Sequence, residues 1–246
     1  MATIAIYSLK GGVGKTTMSV NLAWSSATQS SRRTLLWDLD PQAASSWLLG
    51  GDSRGKDAAQ AVFAKDLAPA ALISPTAIER LDLLPADTSL RSLDHFFFSL
   101  GKRKRLAKLL EGLEKTYDRI ILDCPPGLTE TSEQVMRAAD LILVPVIPSP
   151  LSRRALDDVI AYLDRENGGH APILPVFSMV DRRRALHREA IEDNPDWPVI
   201  PMASAVEQMT VHRAPIGSYA ARSPAGEAFA SLWTGIERKL ARVKDR

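Results

Sequence analysis

A single cysteine, Cys124, stands among 246 residues, which excludes an internal disulfide and a thiolate-rich metal or iron–sulfur cluster. Histidine is scarce too, and the four present show none of the short spacings with which imidazoles grip a metal. Charge of one sign is missing: 31 basic residues face 29 acidic ones, a formal +2. So small a net charge gives no global field to draw the protein onto nucleic acid or anionic lipid, and such binding has to come from local clusters. No apolar run approaches the roughly 20 residues that a spanning helix needs, and no charged leader with an apolar stretch precedes the first strand pattern. A soluble cytosolic protein is expected. With 45% hydrophobic and 24% charged residues, the chain has material for one large core or two small ones. One domain over residues 1–246 is the simpler expectation.

Short apolar runs recur from Thr3 to Tyr7, Thr34 to Trp37, Arg119 to Leu122, Leu141 to Ile147, Ile173 to Met179 and Val199 to Met202, with Leu81 to Leu84 as a further candidate. Each has the length of a buried strand. Helical periodicity fills the intervals from Thr16 to Ala27, Arg103 to Lys115, Ser132 to Ala139, Leu151 to Arg165, Arg183 to Glu192 and Glu227 to Val243. This alternation predicts an α/β fold, a mostly parallel twisted sheet with helices on both faces. Ligands of such sheets bind beyond the carboxyl ends of the strands. The polar, alanine-rich stretch from Gly50 to Ala70 reads as surface helix and loop. Nothing before Thr3 suggests a separate DNA-reading domain.

The first strand runs into Lys10-Gly11-Gly12-Val13-Gly14-Lys15-Thr16-Thr17 and then a helix, the setting a phosphate-binding loop requires. Glycines let successive backbone N–H groups converge on one anion, and the helix N-terminus adds partial positive charge. Lys15 is placed to neutralise the β- and γ-phosphates of ATP, the Thr16 hydroxyl to ligate Mg2+, and Thr17 to serve the α-phosphate. A general phosphate loop has glycine where this chain has Leu9; the departure becomes informative beside Lys10. Two further strand ends carry acids: Trp37-Asp38-Leu39-Asp40-Pro41-Gln42 and Asp118-Arg119-Ile120-Ile121-Leu122-Asp123-Cys124-Pro125-Pro126. A carboxylate at the end of a buried strand is costly unless a cation or hydrogen bonds offset it, and water-held magnesium would do so at Asp123.

Taken together, K-G-G-x-G-K-T-T and the two acidic strand ends resemble the ParA/MinD family of deviant P-loop ATPases, in its short form without an N-terminal helix-turn-helix domain. The resemblance runs from Thr3 to about Trp233. It implies the P-loop NTPase architecture and ATP with Mg2+ as cofactors. Asp40 would orient the attacking water, Asp38 would belong to the magnesium network, and Lys10 would reach the partner subunit's phosphates across a homodimer closed on ATP. Hydrolysis would be slow and accelerated by a cargo-bound partner protein. Adenine is expected over the late strand ends, at Asp181 and at Pro201-Met202.

Family members commonly bind DNA without sequence preference and use the nucleoid as a matrix for plasmids, chromosome regions or protein assemblies. Phosphate neutralisation needs lysine and arginine. Candidates here are Arg182, Arg183, Arg184, Arg188, Arg213 and Arg222, the cluster Lys102-Arg103-Lys104-Arg105, and the terminal run through Arg238, Lys239, Arg242, Lys244 and Arg246. The family's usual arginines after the late Ile-Pro are replaced by Met202 to Ala205. A MinD-like membrane switch is the competing class, because Phe229, Leu232, Trp233, Ile236, Leu240 and Val243 form an apolar helical stripe; docking of that helix onto the sheet explains the stripe more simply. A P-loop synthetase acting on a small carboxylic acid is the third class, and it gives Lys10 no role. Phe96, Phe97 and Phe98 read as core or as a partner-docking patch, core being the simpler expectation.

Overall fold

The computed structural model describes residues 1–51, 57–64, 67–100, 104–165 and 170–244. Within them the apolar runs become β1 (Ala2–Ile6), β2 (Thr34–Asp38), β3 (Ser74–Pro75), β4 (Leu81–Leu84), β5 (Arg119–Asp123), β6 (Leu141–Val146), β7 (Ile173–Val180) and β8 (Val199–Pro201). They form one sheet in the order β3-β4-β2-β5-β1-β6-β7-β8. Every pair is parallel except β3 with β4, so the expected mostly parallel sheet is the observed one. The short antiparallel strand β3 is an addition that its sequence, Ser-Pro, does not advertise.

Side-chain alternation along the strands divides the core in two. Ala5, Tyr7, Leu35, Trp37, Ile120 and Leu122 face one side of the sheet, while Ile4, Ile6, Leu36 and Ile121 face the other, as the period of two requires. Helices Lys15–Gln29 and Pro224–Lys244 cover the second side. Phe229, Leu232, Trp233, Ile236 and Leu240 are all buried there, so the apolar stripe of the last helix is spent on docking; the side chain of Val243 lies outside the described residues. On the first side, helix Ala58–Ala64 buries Val62 and Phe63, the latter stacked on Trp37 at 5.7 Å. That corrects the surface reading of the stretch from Gly50 to Ala70, of which residues 52–56 and 65–66 lie outside the described residues. The three phenylalanines divide: Phe97 is core, Phe96 packs beside it, and Phe98 is 75% exposed.

Strand β1 lies between β5 and β6, with the chain departing to opposite sides of it. Such a switch point opens a crevice at the carboxyl ends of the strands. Among the described residues no helix is long and apolar enough to cross a membrane.

Candidate nucleotide site

The glycine-rich turn lies in that crevice. Gly12 and Gly14 have φ of +71° and +92°, a region that glycine enters without the Cβ penalty. A Cβ on Gly14 would also stand 3.0 Å from Ser178 Oγ. Helix Lys15–Gln29 starts directly after the turn with no side-chain cap and no acidic residue in its first turn. Its unsatisfied N–H groups and positive dipole end are therefore available to an anion. Lys15 is buried, and its Nζ donates to the Lys10 carbonyl at 3.1 Å. Burial lowers its pKa, and the nearby Asp123 carboxylate works against that shift.

Next to the loop the sheet register sets two acids side by side, with Asp38 of β2 opposite Asp123 of β5. Both are buried. Asp38 is well held: it accepts from the Asp40 N–H at 3.0 Å, and from the Ser46 N–H and hydroxyl at 2.9 and 2.7 Å. Asp123 accepts one hydrogen bond on Oδ1, from the Ser19 hydroxyl at 3.0 Å. Its Oδ2 has no partner, and neither has the buried Ser45 hydroxyl; these are the unpartnered buried side-chain polar atoms among the described residues. Burial raises the pKa of both acids, and the Asp38 charge raises that of Asp123 further, while the Thr16 and Ser19 hydroxyls oppose it.

A desolvated carboxylate oxygen without a hydrogen bond, with the Ser45 hydroxyl close enough to favour both carboxylates yet making no hydrogen bond of good geometry, is what a hydrated cation would satisfy. Among the described residues no three acidic, histidine or cysteine side chains converge closely enough to hold a metal directly. The donor set therefore fits magnesium held by the Thr16 hydroxyl, phosphate oxygens and water, since Mg2+ keeps several waters and takes few protein ligands.

A cavity of about 740 Å³ opens over these groups, lined by Gly11, Gly12, Gly14, Lys15, Thr16, Thr17 and Asp40, and across from them by Arg91, Asp94, Pro125, Pro126 and Met179. Asp40 is half-buried and accepts from the Gln42 N–H at 2.9 Å. Val13 is buried, and Lys10 is half-buried outside the cavity lining. A smaller cleft of about 100 Å³ shares Gly14, Thr17 and Met179 with the first and is closed by Pro201, Met202, Val206, Glu207 and Phe229. Pro201 and Met202, expected to contact the base, line this cleft. Asp181 does not line either cavity: its carboxylate is gripped by Arg183 at 2.9 Å and held at about 2, and its N–H donates to His187 Nδ1 at 3.0 Å. It forms a turn away from the cleft. The apolar run of β7 gave no hint of Ser178 and Met179, which line the cleft through a register shift at the end of β7 and a positive φ at Met179.

The basic residues divide in the same way. Arg182, Arg183, Arg184, Arg188 and Arg222 are exposed. Arg183 is paired with Asp181, and Arg188 donates at 3.0 Å to the Arg182 and Arg183 carbonyls. Arg213, expected to contact DNA, directs its guanidinium at Trp47. Arg105 is buried, donating to the Phe63 and Val62 carbonyls at 2.8 and 3.3 Å, so it is a structural residue and not a surface cation. Lys102 and Arg103 lie outside the described residues.

A glycine turn at a helix N-terminus, a buried lysine and paired strand-end acids on a parallel sheet define a P-loop nucleotide-binding protein. Comparisons narrow the class. A family model described as an AAA domain, AAA_31, matches residues 1–168. The chain is 30% identical over 244 residues to the sporulation initiation inhibitor protein Soj of Bacillus subtilis, covering 93% of this chain and 95% of that protein. It is 30% identical over 201 residues to the chromosome partitioning protein ParA of Caulobacter vibrioides, covering 78% and 75%. Among solved structures, the septum site-determining protein MinD of Pyrococcus horikoshii with Mg-ADP matches with a TM-score of 0.78 at 25% identity over 99% of this chain and 98% of that one. Cobyrinic acid a,c-diamide synthase of Mycobacterium smegmatis, with an ATP analog and magnesium, matches with a TM-score of 0.81 at 25% identity over 97% and 94%. The chain belongs to the ParA/MinD family of P-loop ATPases, whose members use adenine nucleotide with magnesium.

Proposed function

We propose that this chain is a single-domain, ATP-dependent dimerising switch that binds DNA without sequence preference and positions a cargo, a reading supported by its similarity to a relative named a chromosome partitioning protein. The observation that carries the reading is the acid pair at the strand ends, one member of it bare, beneath a lysine-bearing loop at a helix N-terminus. Bound magnesium would supply charge neutralisation at the β- and γ-phosphates. Thr16 would ligate it and Asp123 and Asp38 would orient its waters. Lys15 and the loop N–H groups would hold the phosphates, and Asp40, on the cavity wall, would orient the attacking water. Lys10, half-buried and outside its own cavity lining, would act on the partner subunit's nucleotide. Adenine would occupy the cleft at Pro201 and Met202.

ATP at the interface would add contacts between subunits and hydrolysis would remove them, so monomer and dimer are the two states. Turnover would be slow and accelerated by a cargo-bound protein. Arg182, Arg184 and Arg222 would supply DNA phosphate contacts in a cytoplasmic, nucleoid-associated protein. The membrane reading lacks its surface, because the stripe of the last helix is buried.

Light scattering of the Asp40→Ala variant with ATP and magnesium tests the reading. A stable dimer without turnover is expected, and a monomer at saturating ATP would refute it. Lys15→Ala should lose nucleotide binding in calorimetry; retained micromolar affinity would remove the phosphate loop from the argument.

A further inference from the structure

The segment from Ala203 to Arg213 touches the nucleotide site at three points. Val206 and Glu207 line the smaller cleft with Thr17. Met209, buried, receives at 3.2 Å the Asn21 amide that also donates to the Thr17 carbonyl at 2.7 Å. Arg213 then reaches across to the helix that follows Asp40. Its Nε and Nη2 donate to the Trp47 carbonyl at 3.1 and 2.7 Å, and its guanidinium lies 4.7 Å from the centre of the Trp47 ring. The backbone of Arg213 is left-handed, φ +46°, a conformation unfavourable for an L side chain and retained where the surroundings fix it.

Trp47 belongs to the helix Ala44–Leu48, a little over one turn and far too short to persist unaided. That helix presents Ser46 to Asp38 through both its N–H and its hydroxyl. It begins at Ala43, whose N–H closes the Asp40 turn at 2.8 Å. Trp47 is 49% exposed, so the stacked guanidinium supplies packing that the core does not. A planar group that donates twice and stacks at once is a role for arginine and not for lysine.

We propose that Arg213 is a positioning residue for ATP hydrolysis: it clamps helix Ala44–Leu48 through Trp47 and so fixes the Asp38–Asp40 turn relative to the cleft for the base. The inference rests on the reading of the chain as an ATPase. Arg213 acts through Ser46 and the Asp40 turn, with its guanidinium held on Trp47 at an exposed position.

The experiment compares wild type, Arg213→Ala, Arg213→Lys and Trp47→Phe by steady-state ATP hydrolysis and by hydrogen exchange of the Ser46 amide without nucleotide. Small displacements of catalytic groups lower rates by about tenfold or more. Arg213→Ala is expected to lose about that much kcat with KM for ATP changed less than about twofold, and to speed Ser46 exchange. Arg213→Lys should recover only part of both, and Trp47→Phe, which keeps the carbonyl and an aromatic face, should stay near wild type. Unchanged kcat and unchanged exchange in Arg213→Ala overturn the inference, as does a loss of DNA binding with both of those readouts intact. Absence of hydrolysis in the wild type would instead sink the ATPase reading, while the exchange comparison would still decide whether Arg213 holds the helix.

Discussion

Replacing Asp123 by asparagine should make the nucleotide-free protein more stable while weakening its response to magnesium and ATP. In the fold the Asp123 carboxylate is buried, has one bare oxygen and faces Asp38 across one strand spacing. Neighbouring strands lie about 4.8 Å apart, and two like charges at about 5 Å repel by about 3 kcal/mol at an effective dielectric of about 20. A buried polar oxygen without a partner adds about 1–3 kcal/mol, more if charged. Asparagine keeps an acceptor for the Ser19 hydroxyl, removes the charge and turns a donor toward the neighbouring oxygens. After allowance for relaxation, a gain of about 2–4 kcal/mol is expected in EDTA, which for a chain of this size raises Tm by roughly 5–10 °C. Asp38→Asn provides the contrast. That carboxylate accepts three hydrogen bonds, so its replacement should destabilise in the same buffer. Thermal and urea unfolding measure both, and adding ATP with magnesium should then stabilise wild type by ligand linkage and stabilise Asp123→Asn less. A less stable Asp123→Asn in EDTA would mean that the fold already satisfies this carboxylate, and the argument for a cation there would fail.

Other perturbations probe the remaining parts of the site and surface. Changing Arg182, Arg183 and Arg184 together to glutamate should weaken DNA binding and lower the slope of log affinity against log salt by about 2, at about 0.9 per phosphate contact, since Arg183 is already committed to Asp181; an unchanged slope would move the interface elsewhere. Lys10→Ala should still bind ATP in calorimetry yet lose most turnover, and wild-type turnover would remove its role in trans. His187 is buried with Nδ1 accepting the Asp181 N–H, and burial and Arg184 lower its pKa. Its stabilising contribution is therefore full above the unfolded value of about 6.5 and is lost as pH falls below it. Unfolding free energy should drop more steeply from pH 7 to pH 5 in wild type than in His187→Asn, which keeps an acceptor without the titration; parallel profiles would contradict this.

What could be read from the chain and what could not differ by how far apart the interacting residues lie. Lys10 to Thr17 and the strand-end acids were legible because their residue types have no packing reason to follow an apolar run, and the parallel sheet followed from the alternation that surrounds them. Ser19 at Asp123, Ser46 at Asp38 and Met179 over the loop escaped notice. Each looks like an ordinary helix or strand residue until a partner distant in sequence or a local twist of β7 gives it a role. Arginine shows the same effect most plainly. As a residue type it signals a solvated cation, yet Arg105 donates to a carbonyl 42 residues earlier and Arg213 to one 166 residues earlier. Arg105 is consumed inside the fold, Arg213 is held on Trp47 at the surface, and Arg183 is paired with Asp181. Of the arginines expected at DNA, Arg182, Arg184 and Arg222 stay exposed, and the last helix adds the exposed Arg238 and Arg242. With a net charge of only +2, DNA binding would rest on local clusters, and a dimer would double the number of contacts and, because each contributes its own counterion release, multiply rather than add the affinity. Dependence of DNA binding on ATP would then follow from dimerisation alone, without any change in shape of the subunit.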